Sequence, residues 1–101
     1  MSKEVIKKQL KKRFKEIPFQ EDIEKISLFG SYIQKQEKDN SDIDLIIEFN
    51  PNSKIGFFEL SKIQRYLEEI LKKPVDLVTP NSLSKFFKQE VLNMAEKVYE
   101  R

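Results

Sequence analysis

The chain has 101 residues, of which 39% are hydrophobic and 36% are charged, and its formal net charge is +2. This length fits one small domain over residues 1–101, and the balance is typical of a globular chain rather than a disordered one. The absence of cysteine and histidine excludes disulfides, thiolate nucleophiles, cysteine-bound zinc and the usual general base near neutral pH. Any catalysis must therefore depend on carboxylates, hydroxyls, lysine or arginine, with or without a hard metal ion bound by oxygen ligands.

The apolar segments of the chain are short. Runs such as Leu45–Ile47 are far below the roughly 20 residues needed to cross a bilayer, and the N-terminus lacks the apolar stretch of a secretory signal. We expect a cytoplasmic protein that does not enter a membrane. The net charge of +2 is too small to indicate direct binding to nucleic acid.

The first part of the chain is predicted to form a helix and then a strand. Helical spacing of apolar residues predicts a helix over 2–16, and these residues are Ile6, Leu10, Phe14 and Ile17. Alternation of residue types predicts a short strand over Glu24–Phe29. A short helix over 31–37 and a turn over 39–41 are expected to follow.

The middle of the chain is predicted to contain two strands with a helix between them. The clearest strand covers Asp42–Phe49, in which alternate apolar residues point to one face. A helix is predicted over Gly56–Lys72 from apolar residues at helical spacing. A second, shorter strand is predicted over Val75–Thr79.

The end of the chain allows two interpretations. Asn81 or Ser82 can begin a last helix, whose apolar stripe would consist of Leu83, Phe87, Val91, Met94 and Val98. Alternatively, residues 97–100 form a short edge strand. Short strands that alternate with helices predict an α/β (α+β) fold, with a small mixed sheet of three to four strands and helices packed on it.

Four phenylalanines, Phe57, Phe58, Phe86 and Phe87, are predicted to be core residues. The alternative is a surface that binds a partner, because two adjacent rings cannot both lie on one narrow stripe. The lysine-rich side of the first helix is predicted to be a solvated face, with partner binding as the alternative.

Asp42 and Asp44 are the most informative residues. Residues two apart on a strand project from the same face, so their carboxylates lie close enough to share a pair of divalent cations. Like charges at this distance repel, which favours a counter-cation, and without histidine or cysteine ligands the natural ion is magnesium or manganese. An isolated Asp-x-Asp is more often a solvated strand edge, but here the pair begins a strand otherwise rich in isoleucine and leucine.

Gly30 and Ser31 lie between a predicted strand and a predicted helix. Backbone N–H groups at a helix start, together with a hydroxyl, suit a phosphate. A glycine–serine pair alone is a common turn, so its significance depends on Asp42 and Asp44. A metal pair beside a phosphate-binding turn indicates phosphoryl or nucleotidyl transfer.

The arrangement of these motifs resembles the signature of the nucleotidyltransferase superfamily that includes DNA polymerase beta. It consists of Gly30-Ser31, a ten-residue spacer and then Ser41-Asp42-Ile43-Asp44-Leu45. The sequence is most similar to the minimal, MNT-type members, which are often encoded beside a HEPN-domain ribonuclease toxin and act as its antitoxin. The segment 73–79 resembles the strand that carries the third carboxylate of the family.

The resemblance implies a role for each matched residue. It implies three catalytic, metal-binding carboxylates, Asp42, Asp44 and Asp76, and a nucleotide-binding group of Gly30, Ser31 and Lys35. The implied reaction uses two Mg2+ ions and transfers AMP from ATP to a hydroxyl. In MNT antitoxins the implied acceptor is a tyrosine of a HEPN-type toxin, so we expect a hetero-oligomer with such a partner.

The sequence departs from the family pattern after the glycine–serine pair. Gln34 stands where arginine is usual, and Lys35 replaces a glycine. Lys35 or Lys38 can supply the missing charge, although lysine does not reproduce a bidentate arginine contact. Two other functions therefore stay open. One is a non-catalytic antitoxin that neutralises its partner by contact, and the other is transfer to a small molecule, which the short chain disfavours.

Overall fold

A computed structural model describes residues 2–30 and 42–101. In these ranges the chain forms α1 (Lys3–Arg13), β1 (Ile23–Phe29), β2 (Ile43–Phe49), α2 (Phe57–Leu71), β3 (Val75–Val78), α3 (Lys88–Met94) and β4 (Glu96–Glu100). None of these helices is long and apolar enough to span a bilayer. The helix predicted over 31–37 and the turn predicted over 39–41 lie outside the described residues.

The strands of the described chain form one mixed sheet in the order β3-β2-β1-β4. β1 is antiparallel to both β2 and β4, whereas β2 and β3 are parallel. α2 connects the two parallel strands, as a parallel pair requires a long crossover connection. The predicted α/β fold with a small mixed sheet is therefore confirmed.

The hydrophobic core lies between one face of the sheet and the helices α1 and α2. Apart from Phe57, both helices contribute to the core the apolar residues that helical spacing predicted, and the strands contribute alternate residues. Fully buried members include Ile6, Leu10, Leu28, Ile43, Leu45, Ile47, Ile63 and Leu67. The intervening residues of β2 and β3 consequently point to the opposite face of the sheet.

α1 is also tied to the outer strand β4. The ammonium of Lys3 lies 2.9 Å from a carboxylate oxygen of Glu96, and this contact lowers the pKa of Glu96 below its ordinary value. The rings of Phe14 and Tyr99 stack with centroids 4.0 Å apart. Charged and aromatic contacts therefore hold β4 against the helical layer.

The last helix is much shorter than the periodicity predicted. α3 ends at Met94, and the chain extends at Ala95 with ψ of 142°. Val98 lies in β4, so its placement on the helix was wrong and the alternative of an edge strand is correct. The physical reason is the free edge of β1, whose backbone groups gain hydrogen-bonding partners when residues from Glu96 onward pair with it.

The four phenylalanines predicted to be core residues are exposed, so that prediction was wrong. The exposed fractions are 77% for Phe57, 82% for Phe58, 81% for Phe86 and 61% for Phe87. The first pair stands in the first turn of α2, ahead of the residues of that helix that face the sheet. The second pair precedes α3, which has no buried residue.

The start of α2 lies at the carboxyl ends of β2 and β3. Ile55, two residues before the helix, lines a cleft with Phe49 and Thr79, which end or follow those strands. α2 then runs back, so that its last turns reach the amino end of β3. The exposed rings of Phe57 and Phe58 are therefore remote from the amino ends of the two parallel strands.

Candidate active site

Asp44 and Asp76 are neighbours across the parallel strands β2 and β3, in direct register. Adjacent strands lie about 4.8 Å apart, so the two carboxylates start from closely spaced backbones. Both side chains point away from α1 and α2, because their neighbours Leu45 and Leu77 are buried in the core. Asp44 is half-buried and Asp76 is exposed. The structure thus brings together two of the three predicted carboxylates.

Asp42 lies at the same end of the sheet, one residue before β2 begins, and is exposed. The next residue, Ile43, donates its backbone N–H to the carbonyl of Pro74 at 3.0 Å. This hydrogen bond ties the start of β2 to the start of β3. All three predicted carboxylates are therefore found at the amino ends of the two parallel strands.

Gly30 packs its bare backbone against the carboxylate of Asp44. It follows β1, whose last residue, Phe29, pairs with Asp44, and its φ of +75° is in the left-handed region. A Cβ atom built on Gly30 would lie 2.1 Å from Oδ2 of Asp44, a distance that no real Cβ tolerates. Both the conformation and the space require glycine here. Gly30 was predicted to bind phosphate, and its contact with Asp44 is an additional role that the sequence pattern did not indicate.

The other predicted nucleotide-binding residues cannot be placed in this site. Ser31 and Lys35, together with Gln34 and Lys38, lie outside the described residues. Their roles stay predictions. Within the described residues, the site consists of Gly30 and the three aspartates.

The carboxylates fit a hard divalent cation by their chemistry. They supply oxygen atoms alone, and the side chains that face one another in register carry like charges, which a cation would compensate. Within residues 2–30 and 42–101, no three acidic side chains are gathered closely enough to form a ready-made metal cage. The residues that would hold a cation are Asp44 and Asp76, with Asp42 at the same end of the strands.

Two side chains that were not among the predicted site residues bind the backbone at the start of β3. Glu68 Oε2 accepts the backbone N–H of Val75 at 2.9 Å, and Gln64 Nε2 donates to the carbonyl of Val75 at 2.9 Å. Both come from α2, one helical turn apart, and both are half-buried. A polar pair at positions i and i+4 beside an apolar stripe was the available sequence signal.

The family resemblance is borne out by comparison with known proteins. Residues 6–101 match the family described as polymerase beta, nucleotidyltransferase. The chain is 33% identical over 90 residues to the candidate protein adenylyltransferase MJ0435 of Methanocaldococcus jannaschii, covering 89% of this chain and 95% of that protein. It is 36% identical over 94 residues to the protein adenylyltransferase MntA of Thermococcus cleftensis, covering 92% and 83%.

Solved structures share the fold. A toxin–antitoxin crystal structure with AMP-PNP superposes with a TM-score of 0.72 at 26% identity, covering 94% of this chain and 73% of that one. The complex of a tri-AMPylated Shewanella oneidensis HEPN toxin with an MNT antitoxin gives a TM-score of 0.65 at 22% identity, covering 97% and 72%. At that identity the second likeness supports the fold alone. From the matched family, its named relatives and the shared fold, the chain belongs to the polymerase beta nucleotidyltransferase family.

Proposed function

We propose that this chain is a protein adenylyltransferase that transfers AMP from ATP to a partner protein. The proposed acceptor is a tyrosine hydroxyl of a HEPN-type toxin, so that the chain acts as the antitoxin. The observation that carries the proposal is the in-register pair of Asp44 and Asp76 beside the left-handed Gly30. A relative named as a protein adenylyltransferase and the toxin–antitoxin neighbour at 26% identity support it.

In the proposed reaction, the acceptor oxygen forms a bond to the α-phosphorus of ATP. The bond from that phosphorus to the bridging oxygen breaks, and pyrophosphate leaves with the electron pair. Asp76 is the carboxylate that takes the proton of the attacking hydroxyl.

The remaining predicted residues bind and orient the nucleotide. Asp42, Asp44 and Asp76 would hold two magnesium ions, which when bound neutralise phosphate charge and align the triphosphate. Gly30 leaves room for the carboxylate of Asp44, since a Cβ atom at this position would collide with it. We assign Ser31 and Lys35 to the triphosphate from the family resemblance.

The exposed phenylalanines favour a second candidate, a non-catalytic antitoxin that acts by contact. More than half of the surface of each of these four residues is exposed to solvent. Exposed apolar area of this size commonly marks a binding surface. Contact and chemistry are compatible in one protein. The two candidates differ in whether neutralisation of the partner requires ATP.

The proposed transfer is expected to appear as a mass increase of the partner. The chain is incubated with ATP, magnesium and a HEPN-type protein as the candidate partner, and the intact mass of that protein is measured. We expect an increase in steps of one AMP unit, and no increase in EDTA, because the aspartates would repel bare phosphates. Tight binding without any mass change would instead establish the contact-based antitoxin.

Phe58 and Phe86 are expected to contribute to docking of the partner. Because both rings are more than 80% exposed, alanine at either position leaves folding unchanged. Loss of a central aromatic contact commonly costs about 2 kcal/mol, so we expect the Kd for the partner to rise more than tenfold. Calorimetric titration of each variant with the partner measures this Kd.

The matched control for docking is Val5→Ala. Val5 is a 41% exposed apolar residue on α1, next to the lysine-rich face that is the other candidate surface. We expect the Val5→Ala variant to bind the partner with the same Kd as the wild type. Weaker binding by this control, together with unchanged binding by the two phenylalanine variants, would place the docking surface on α1.

A further inference from the structure

β3 is a short edge strand of the described sheet, and α2 holds it from its outer side. On the inner side, the carbonyl of Pro74 accepts from the N–H of Ile43. Neighbouring residues of a strand direct their backbone groups to opposite sides, so those of Val75 point outward. Outward-pointing backbone groups of an edge strand ordinarily bind water or pair with another strand. Here Gln64 binds the carbonyl of Val75 and Glu68 binds its N–H.

The hydrogen-bonding pattern matches Val75 and neither of its neighbours. Glu68 supplies an acceptor for an N–H, and Gln64 supplies a donor for a carbonyl. In the present register the backbone groups of Pro74 and Asp76 face β2. A shift that brought Pro74 to the place of Val75 would leave Glu68 without a donor, because proline has no N–H.

The register of β3 decides which side chains face the site. A shift by one residue turns every side chain of a strand to the opposite face. Asp76 would then point into the core, which Leu77 now occupies with only 6% of its surface exposed. Asp44 would lose its neighbouring carboxylate. β3 has only four residues, Val75–Val78, so its register depends on the burial of Val75 and Leu77 and on a small number of backbone hydrogen bonds.

We propose that Gln64 and Glu68 are positioning residues, which hold the register of β3 and thereby keep Asp76 beside Asp44. The inference rests on the proposed function, since that function uses the carboxylate pair. Neither residue touches the reacting atoms. Their effect passes through the backbone of Val75 to the side chain that follows it.

The test uses methionine at each position, since methionine is close in size and cannot form these hydrogen bonds. In Gln64→Met and Glu68→Met, we expect the affinity of the full chain for Mn2+ to fall about tenfold, as is usual when support for a metal-binding group is removed. Amide hydrogen exchange in β3 is expected to rise about tenfold, with α1 and β1 unchanged. Glu68→Gln, which keeps an acceptor oxygen, restores both properties.

Glu69→Met is the control, because Glu69 is the exposed neighbour on the same helix. It is expected to match the wild type in Mn2+ affinity and in exchange. A lower melting temperature with unchanged Mn2+ affinity in the two test variants would mean that the residues only stabilise the fold, and the inference would be overturned. If Glu68→Met does not fold, Gln64→Met alone tests the inference. That variant is expected to fold, because the carbonyl of Val75 that loses Gln64 can still accept a hydrogen bond from water.

The exchange measurement separates this inference from the proposed function. A wild-type chain that binds Mn2+ but transfers no AMP would refute the proposed function and leave the positioning role intact. A wild-type chain that binds no Mn2+ would refute the metal site. In that case exchange in β3 decides, and unchanged exchange in both variants would refute the positioning role as well.

Discussion

Replacing Asp44 with asparagine is expected to lower the turnover of AMP transfer by about a thousandfold, a loss typical of removing a group that stabilises charge in the transition state. Asparagine keeps the shape of the side chain but has no charge and only one oxygen to offer a cation. Asp76→Asn is expected to behave in the same way, because the two residues are in register. The rate of AMP transfer to the partner and the thermal melting curve measure the two effects.

The fold is expected to survive both changes, since one of two repelling carboxylates becomes neutral. Glu48→Gln is the matched control. Glu48 lies on the same face of β2 as Asp44, four residues further from the amino end of the strand. The chemical change is identical, and turnover is expected to stay close to that of the wild type. Near-normal turnover in Asp44→Asn or Asp76→Asn would show that the site has been assigned to the wrong residues.

Gly30→Ala is expected to destabilise the protein and to abolish transfer together. A left-handed backbone costs a non-glycine residue about 1–2 kcal/mol, and the added methyl group would lie 2.1 Å from Oδ2 of Asp44. The carboxylate must move, or the end of β1 must move. A loss of about 2 kcal/mol lowers the melting temperature of a domain of this size by about 10 °C. Thermal melting and the AMP-transfer assay test both parts.

Gly56→Ala is the control, since it adds the same methyl group to the other glycine of the chain. Gly56 has an extended conformation with φ of −103°. Its new Cβ would meet the end of the Glu59 side chain at 3.0 Å, and that side chain can rotate away. We expect only a small change in melting temperature and full activity. Equal melting of Gly30→Ala and the wild type would contradict the close approach of Gly30 to Asp44.

Local pattern was sufficient to predict Asp42 and Asp44 as a pair. Two aspartates at the start of a strongly alternating strand indicate both their shared face and their chemistry. Asp76 needed the family resemblance, because one aspartate in a four-residue strand carries no pattern of its own. Its place beside Asp44 depends on the pairing of β2 with β3, which are separated in the chain by all of α2.

Periodicity failed where tertiary structure overrode it. Residues 83–98 have helical spacing, but the free edge of β1 takes the last of them as a strand. Phe57 and Phe58 belong to a helix with a buried stripe, yet nothing in the spacing tells where the helix extends beyond the sheet. The contacts of Gln64 and Glu68 with Val75 depend on the same long-range packing of α2 against β3.

The position of the first turn of α2 sets a reach requirement for any partner that anchors there. Asp44 lies five residues before the carboxyl end of β2 at Phe49, which is about 16 Å along a strand. A partner bound to Phe58 must therefore span that distance with about five extended residues, or present its acceptor hydroxyl from a separate part of its surface. The affinity for the partner and the rate of the chemical step then depend on different residues. Weakening the anchor raises the KM for the partner and leaves kcat intact, because the lost contact is equally strong before and during the reaction.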